Sequence, residues 1–308
     1  MPALRIVRVH VLGSSAGGGF PQWNCNCPNC LGLRAGRLRA RPRTQSSIAA
    51  SGGGGSWALF NASPDILAQL RAFPELQPGR DIRDTAIAGI VLTDSQIDHT
   101  TGLLMLREGE ALRVYCTESV REDLTTGNPL FKVLSHYCGV DWRRIEPGGE
   151  FAVEGVAGVR FRAIGLTSKA PPYSPHRANP GFGDNIGIAM TDEASGKSLF
   201  YAPGLGMMEP HLEPVFERAD CLLVDGTFWT EDEMIRLGIA RKRAQDMGHL
   251  PQSGPGGIQE ILACHAHARR ILIHINNTNP ILVEDSPERA SLAAAGIEVA
   301  FDGMDIEV

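Results

Sequence analysis

No stretch of this 308-residue chain approaches the roughly 20 consecutive apolar residues that a membrane-crossing helix needs, so no such anchor is expected. The opening MPALRIVRVHVLG alternates, and it lacks the apolar block and small-residue cleavage site of a secretory signal; it reads as a first strand in a cytoplasmic protein. Positive charge is not in excess either. Against 35 Asp and Glu there are 29 Lys and Arg, a formal charge of −6, which argues against gripping nucleic acid or an anionic membrane through the overall field. A disulfide framework is also missing: the seven cysteines are odd in number, and Cys116, Cys138, Cys221 and Cys264 are scattered through apparent strands and helices, as in a reducing compartment.

What is there suits a large buried core, with 43% hydrophobic and 21% charged residues. Runs of strand character recur, among them RIVRVHVLG, SWALFNA, IAGIVLT, LRVYC, GVRFRAIGL, NIGIAM, SLFYAP, CLLVD, RILIHI and GIEVAF. Apolar spacing of three and four predicts helices over 98–106, 118–124, 209–218, 256–267 and 286–295, the last with Ser286 as N-cap. A strand-rich meander comes first, then strands alternating with helices, then the same again, without an equal-length repeat. Two sheets that carry helices on their outer faces give a four-layer α/β sandwich, αββα, as one domain over 1–308. The Gly and Pro clusters at 52–55, 171–183 and 251–257 read as loops, GGGG being a hairpin connection between QSSIAAS and SWALF. The basic run LRAGRLRARPR, 33–43, reads as a solvated face or an anion site.

WNCNCPNC places Cys25, Cys27 and Cys30 in a C-x-C-x-x-C array within a loop at about 23–31. Close-spaced thiolates on a tight loop can face one zinc ion, which takes sulfur tetrahedrally at about 2.3 Å. A fourth ligand from a distant part of the chain would make this a structural staple; free thiols or a redox pair are the alternative.

Histidine is scarce where it would be expected most. TDSQIDHTTGL, 93–103, follows the apolar run IAGIVL and has the cadence of a metal-binding turn, yet holds one histidine, His99, beside Asp98 and close to Asp94. Mixed carboxylate and imidazole donors suit iron, manganese or zinc; a His-Asp pair at a helix start is the structural alternative. Asp225 ends CLLVD, His274 ends RILIH, and His249 sits in MGHLPQSG, so polar residues follow apolar strands repeatedly, where α/β proteins assemble chemistry.

The turn resembles the metallo-β-lactamase superfamily pattern T-H-x-H-x-D-H-x-x-G-L through Thr93, Asp98, His99, Gly102 and Leu103, with Asp94 and Gln96 in place of the first two histidines. LGSSAGGGFPQWNCNCPNC, NASPDI, SKAPPYSPH, GDNIG, LLVDGTFW, MGHLPQSG and IHINNTNPIL extend the resemblance, over essentially the whole chain, to the coenzyme PQQ synthesis protein B family. The resemblance implies a metallo-β-lactamase-like αββα fold and a role in making pyrroloquinoline quinone (PQQ). It implies structural Zn2+ on Cys25, Cys27 and Cys30, the fourth ligand being His274 or Asn277. It further implies catalytic Fe2+ in an oxygenase that hydroxylates the tyrosine ring of a Glu-Tyr dipeptide derived from a precursor peptide. The active-site metal set is then drawn from Asp94, Asp98, His99, Asp225 and His274, with His249 as a further catalytic or substrate-side group. Lys169, His176 and Arg177 are candidates to hold carboxylates of the dipeptide or quinone. Dioxygen, other PQQ-pathway proteins and a second copy in a homodimer are the further partners. A carrier or export role for the acidic quinone is the alternative reading, and metal-dependent hydrolysis a third.

Overall fold

The computed structural model describes residues 7–308, so the predicted first strand begins outside the described residues, at Arg5 and Ile6, and continues as β1 (Arg8–Gly13). The strands that follow are β2 (Ser47–Ser51), β3 (Trp57–Phe60), β4 (Ile87–Val91), β5 (Leu112–Cys116), β6 (Val140–Arg144) and β7 (Glu150–Phe151). They continue with β8 (Val159–Gly165), β9 (Ile186–Asp192), β10 (Ser198–Ala202), β11 (Cys221–Asp225), β12 (Arg269–Ile273), β13 (Ile297–Val299) and β14 (Asp305–Glu307). Among the described residues these form two seven-stranded sheets, ordered β14-β1-β2-β3-β4-β5-β6 and β13-β12-β11-β10-β9-β8-β7. In the first, β1, β2 and β3 pair antiparallel before β3 to β6 run parallel. In the second, β8, β9 and β10 pair antiparallel before β10 to β13 run parallel. Each half therefore repeats one scheme, as the order of strand and helix signals predicts.

Three apolar layers separate four structural ones. Between the sheets, Val9, Ile48 and Phe60 meet Phe161, Ile188 and Leu223. Leu59, Ile90, Leu103 and Leu124 pack under helices on the outer face of the first sheet, and Phe200, Phe216, Leu222 and Leu262 do so on the second. This is the metallo-β-lactamase αββα arrangement. GGGG forms the β2–β3 hairpin, with Gly53 and Gly55 at φ +85° and +77°, a region open to glycine at no steric cost.

Several helices are shorter than their periodicity predicts. The 209–218 segment is helical only over Glu213–Arg218, because Pro214 has no N–H to give and is tolerated only in a first turn. The 256–267 segment starts at Ile258, since Gly256 holds φ +69°. Glu118–Thr125 and Pro287–Ala294 lie close to expectation, each with a hydroxyl N-cap, Thr117 and Ser286. Most of the basic run is a solvated face, Arg34, Arg37, Arg39 and Arg41 being exposed, but three of its arginines also brace the fold. Arg43 is buried and donates to Ser14 Oγ at 3.1 Å and to the Ala300 carbonyl, Arg34 braces the Cys25 and Gln22 carbonyls, and Arg41 pairs with Glu284 at 3.1 Å.

Candidate metal centres

At the carboxyl end of β4 the chain must turn sharply. The Asn61 side chain, following β3 at φ +60°, accepts from the Thr93 N–H at 3.0 Å and donates to Thr93 Oγ at 3.0 Å, which pins the turn from the neighbouring strand. Helix then lasts only over Ile97–Thr100 before tightening to a 3-10 turn at Thr101–Leu106. Gly102 explains the change: its N–H donates to the Ala62 carbonyl at 2.9 Å, and a Cβ there would stand 2.2 Å from the Ser63 carbonyl oxygen. Inside this turn both Asp94 oxygens face His99 Nδ1, at 2.9 and 2.8 Å, and Asp94 also accepts from the Gln96 N–H at 2.9 Å. His99 Nε2 is buried with no hydrogen-bond partner among the described residues.

The second sheet meets this turn with three strand-end groups. Thr227 Oγ, just past β11, is 2.6 Å from Asp225 Oδ1, 2.9 Å from His274 Nδ1 and 3.1 Å from His249 Nδ1. An ionised carboxylate only accepts, so the Thr227 hydroxyl donates to Asp225 and its lone pairs receive ring N–H groups. His249 Nδ1 lies 2.6 Å from Asp225 Oδ2, and His274 Nε2 lies 3.3 Å from Asp98 Oδ2. In all three imidazoles Nδ1 is thus held by a protein acceptor, which leaves Nε2 as the nitrogen to face a metal, unpartnered in His99 and turned to Asp98 in His274. His274 has φ +61°, an uncommon value for a non-glycine residue that puts its ring beside His99 and His249, both at 5.2 Å between ring centres.

Two donor groups share His274: Asp98, His99 and His274, and Asp225, His249 and His274, each with ligand atoms within 4.8 Å of one another. Asp94 belongs to neither; it lies behind His99. Burial disfavours a charged His99 ring, yet Asp94 and Asp98 outweigh this and push it up to about 9. Asp98 is held below the usual carboxylate range despite its burial, by His99 and His274. The field that keeps a proton on His99 is one that a divalent cation would satisfy better, and nitrogen and oxygen donors without sulfur fit iron, manganese or zinc. The centre opens on a cavity of ≈ 190 Å³ whose walls include Gly17, Gln96, Ser168, Asn185, Phe228 and Asn276. No lysine or arginine lines it among the described residues.

A second cluster lies at the cysteine loop. Cys25, Cys27 and Cys30 gather their sulfurs within 4.8 Å, and Asn277 Nδ2 stands 3.2, 3.6 and 3.3 Å from them in that order. His274 faces Asp98 instead and is not part of this group. Half a turn about the terminal bond of Asn277 exchanges Nδ2 for Oδ1 and presents an oxygen to the same sulfurs. Burial and the neighbouring cysteines push the Cys27 thiol up to about 12, so three thiolates do not coexist here without a cation to face. Thiolate-rich donors of this kind fit zinc.

A model of the β-lactamase superfamily domain matches residues 56–275. Coenzyme PQQ synthesis protein B of Nitrosococcus oceani is 66% identical over 305 residues, covering 97% of this chain and 99% of its own. Its namesake in Azoarcus sp. is 65% identical over 300 residues, with the same two coverages. The chain belongs to the coenzyme PQQ synthesis protein B family. The crystal structure of Zn2+-bound PqqB from Methylobacterium extorquens is 39% identical and superposes with a TM-score of 0.89 over 98% of this chain and 100% of that one.

In this member of the family the three cationic or imidazole candidates of the 168–177 segment stand off the cavity. Lys169 is exposed, His176 Nε2 pairs with Glu122 at 3.0 Å, and Arg177 turns back onto the Ala170 carbonyl. Only Ser168 of that segment lines the cavity, and the Lys169 carbonyl accepts from Gln96 Nε2 at 3.1 Å. Sequence reasoning passed over Thr227, Asn185 and Asn276, uncharged residues whose type alone points to no chemistry; their positions one to three residues from a strand end were the available signal.

Glu233, behind the 274–279 loop, was also passed over. It accepts from the Trp229 N–H at 2.6 Å and bonds Thr278 Oγ at 2.5 Å, and burial pushes its carboxyl from 4.5 up to about 7. A raised carboxyl means that between pH 4.5 and 7 the folded chain holds a proton that the unfolded chain has lost. Stability from this group is therefore full below the lower value and declines as pH rises through the window, by roughly 2–4 kcal/mol. Glu233→Gln, neutral at every pH, is expected to abolish that decline when urea melts of variant and parent are compared across the window. A parallel pH dependence in both would refute it.

Proposed function

We propose that this chain acts in PQQ synthesis as an iron- and dioxygen-dependent hydroxylase of the tyrosine ring in a Glu-Tyr dipeptide, and that residues 1–308 work as one domain. The observation that carries the reading is the set of three imidazoles with Nδ1 held by the protein and Nε2 left to face a metal beside Asp98, in the wall of a cavity. His99, His274 and Asp98 would hold the ion, with His249 and Asp225 beside them; this keeps histidine and carboxylate on one face and leaves positions open. When bound, ferrous iron supplies the electrons and open coordination positions that dioxygen chemistry requires. Asp94 keeps the His99 proton on Nδ1, and Thr227 does the same for His274. Asp225 is positioned to hold or pass a proton through His249 Nδ1. Phe228 and Met247 supply the apolar part of the wall against which the ring to be modified would lie.

A carrier for an acidic quinone fits less well, because the cavity wall offers Asp94 and Asp98 and no lysine or arginine among the described residues. Asp94 and Gln96, one turned to His99 and the other to the Lys169 carbonyl, also leave out the imidazole pair of two-zinc hydrolysis. The test is to load the protein with Fe2+ under anaerobic conditions and add Glu-Tyr, ascorbate as two-electron reductant, and dioxygen. The expected product carries one added oxygen on the ring, the second oxygen atom leaving as water; zinc-loaded protein should give none. An unmodified dipeptide with the iron-loaded protein would overturn the reading.

A further inference from the structure

Asn185 has a side chain that the fold buries but does not use. It precedes β9, where the second sheet touches the first: Asp94 and Asn185 form an isolated antiparallel bridge, the Ile186 N–H donates to the Thr93 carbonyl at 2.8 Å, and the Leu166 N–H donates to the Asn185 carbonyl at 2.9 Å. The backbone is thereby fixed against the turn that carries Asp98 and His99. The residue is only 5% exposed, yet its side-chain amide makes no hydrogen bond among the described residues and forms part of the cavity wall. The amide is not sealed from the cavity, so a molecule seated there is the partner its donor hydrogens and carbonyl oxygen can reach.

The surroundings say what that partner is. An amide offers one acceptor and two donor hydrogens. With Asp94 and Asp98 in the same wall, and no lysine or arginine there among the described residues, a bare carboxylate would meet repulsion that a single amide does not offset. We propose that Asn185 is a specificity residue, whose amide holds a neutral group of the substrate that both gives and accepts hydrogen bonds: the phenol or the peptide link of a tyrosine dipeptide. The substrate class rests on the function proposed above; the residue's role is separable from the chemistry. Ser168, whose hydroxyl donates to the Gly248 carbonyl at 2.8 Å, is already committed and does not compete for it.

The test measures binding of Glu-Tyr and Glu-Phe to the anaerobic Fe2+-loaded protein and its Asn185→Leu variant by calorimetry, with iron content and melting temperature recorded beside it. Leucine matches asparagine in size and leaves the backbone bonds in place. Glu-Tyr binding is expected to weaken about 10- to 100-fold, with iron content unchanged. If the phenol is the contact, the parent prefers Glu-Tyr over Glu-Phe and the variant loses that preference; if the peptide link is, both ligands weaken alike. Unchanged Glu-Tyr affinity, a loss of iron in step with affinity, or a parent that binds neither dipeptide would overturn the proposal. Should Asn185→Leu not fold, Asn185→Ala carries the same comparison. A parent that binds Glu-Tyr through Asn185 without modifying it leaves this assignment standing and removes the hydroxylase reading instead.

Discussion

His99→Asn is expected to cut the affinity of the mixed centre for Fe2+ or Zn2+ by more than about 100-fold, the upper end of what losing a supporting residue costs. The choice of asparagine matters. Removing the ring altogether would leave Asp94, 3% exposed, as a buried charge without its partner, and loss of fold would then mimic loss of metal. Asparagine places an amide N–H near where Nδ1 stood, so the contacts of 2.9 and 2.8 Å to Asp94 can be kept while the Nε2 donor is deleted. Asp94→Asn separates the two roles: it keeps the shape but no longer enforces the tautomer, and is expected to cost about 10- to 100-fold in affinity. Anaerobic competition titrations against a coloured chelator give both numbers. If Asp94→Asn weakened binding as much as His99→Asn, Asp94 would be a direct ligand rather than a group that orients His99.

These two substitutions bear on the part of the site that sequence exposed least well. TDSQIDHTTGL, CLLVD, RILIH and MGHLPQSG each mark a strand end or loop with a polar residue, and the alternation of strands and helices brings them to one crevice, so membership of the site was readable. Rank within the site was not. Asp94 and Asp98 are both acidic and four apart, and only the geometry of the turn sends one to Nδ1 of His99 and the other towards Nε2 of His274. His274 and Asn277 posed the same difficulty: three residues apart on one loop, they go to different centres because His274 adopts φ +61° while Asn277 reaches back to the cysteines. Lys169 and Arg177 raise a related point: charge alone does not say whether a loop side chain faces the cavity, and neither of them lines it. The helices were legible where a hydroxyl cap marks the start and less so where proline or positive-φ glycine trims the first turn, as at Pro214 and Gly256.

On the reading that Cys25, Cys27 and Cys30 hold a structural zinc, Cys30→Ser is expected to release it and lower the melting temperature by on the order of 10 °C, because such an ion contributes folding energy outright. Cys30 is fully buried, and its sulfur lies 3.3 Å from Asn277 Nδ2, a contact that joins chain positions 247 residues apart. A serine hydroxyl does not ionise near neutral pH, so the variant loses a thiolate and keeps the volume. Cys25 shows how the remaining charge is arranged: burial opposes its thiolate, but the Cys27 N–H, the Cys27 and Cys30 thiols and the Asn277 amide hold it below its ordinary value. A divalent cation replaces the proton that burial otherwise keeps on Cys27, and its loss removes the charge that the three sulfurs converge on. The loop that carries Asn277 also carries His274 and Asn276, both of which line the cavity. Loss of the cysteine zinc should therefore weaken metal binding at the mixed centre as well, by less than His99→Asn does. Metal analysis with scanning calorimetry tests both statements, and a Cys30→Ser protein that melted with its parent while lacking one zinc would show that the cysteine loop is not a structural staple.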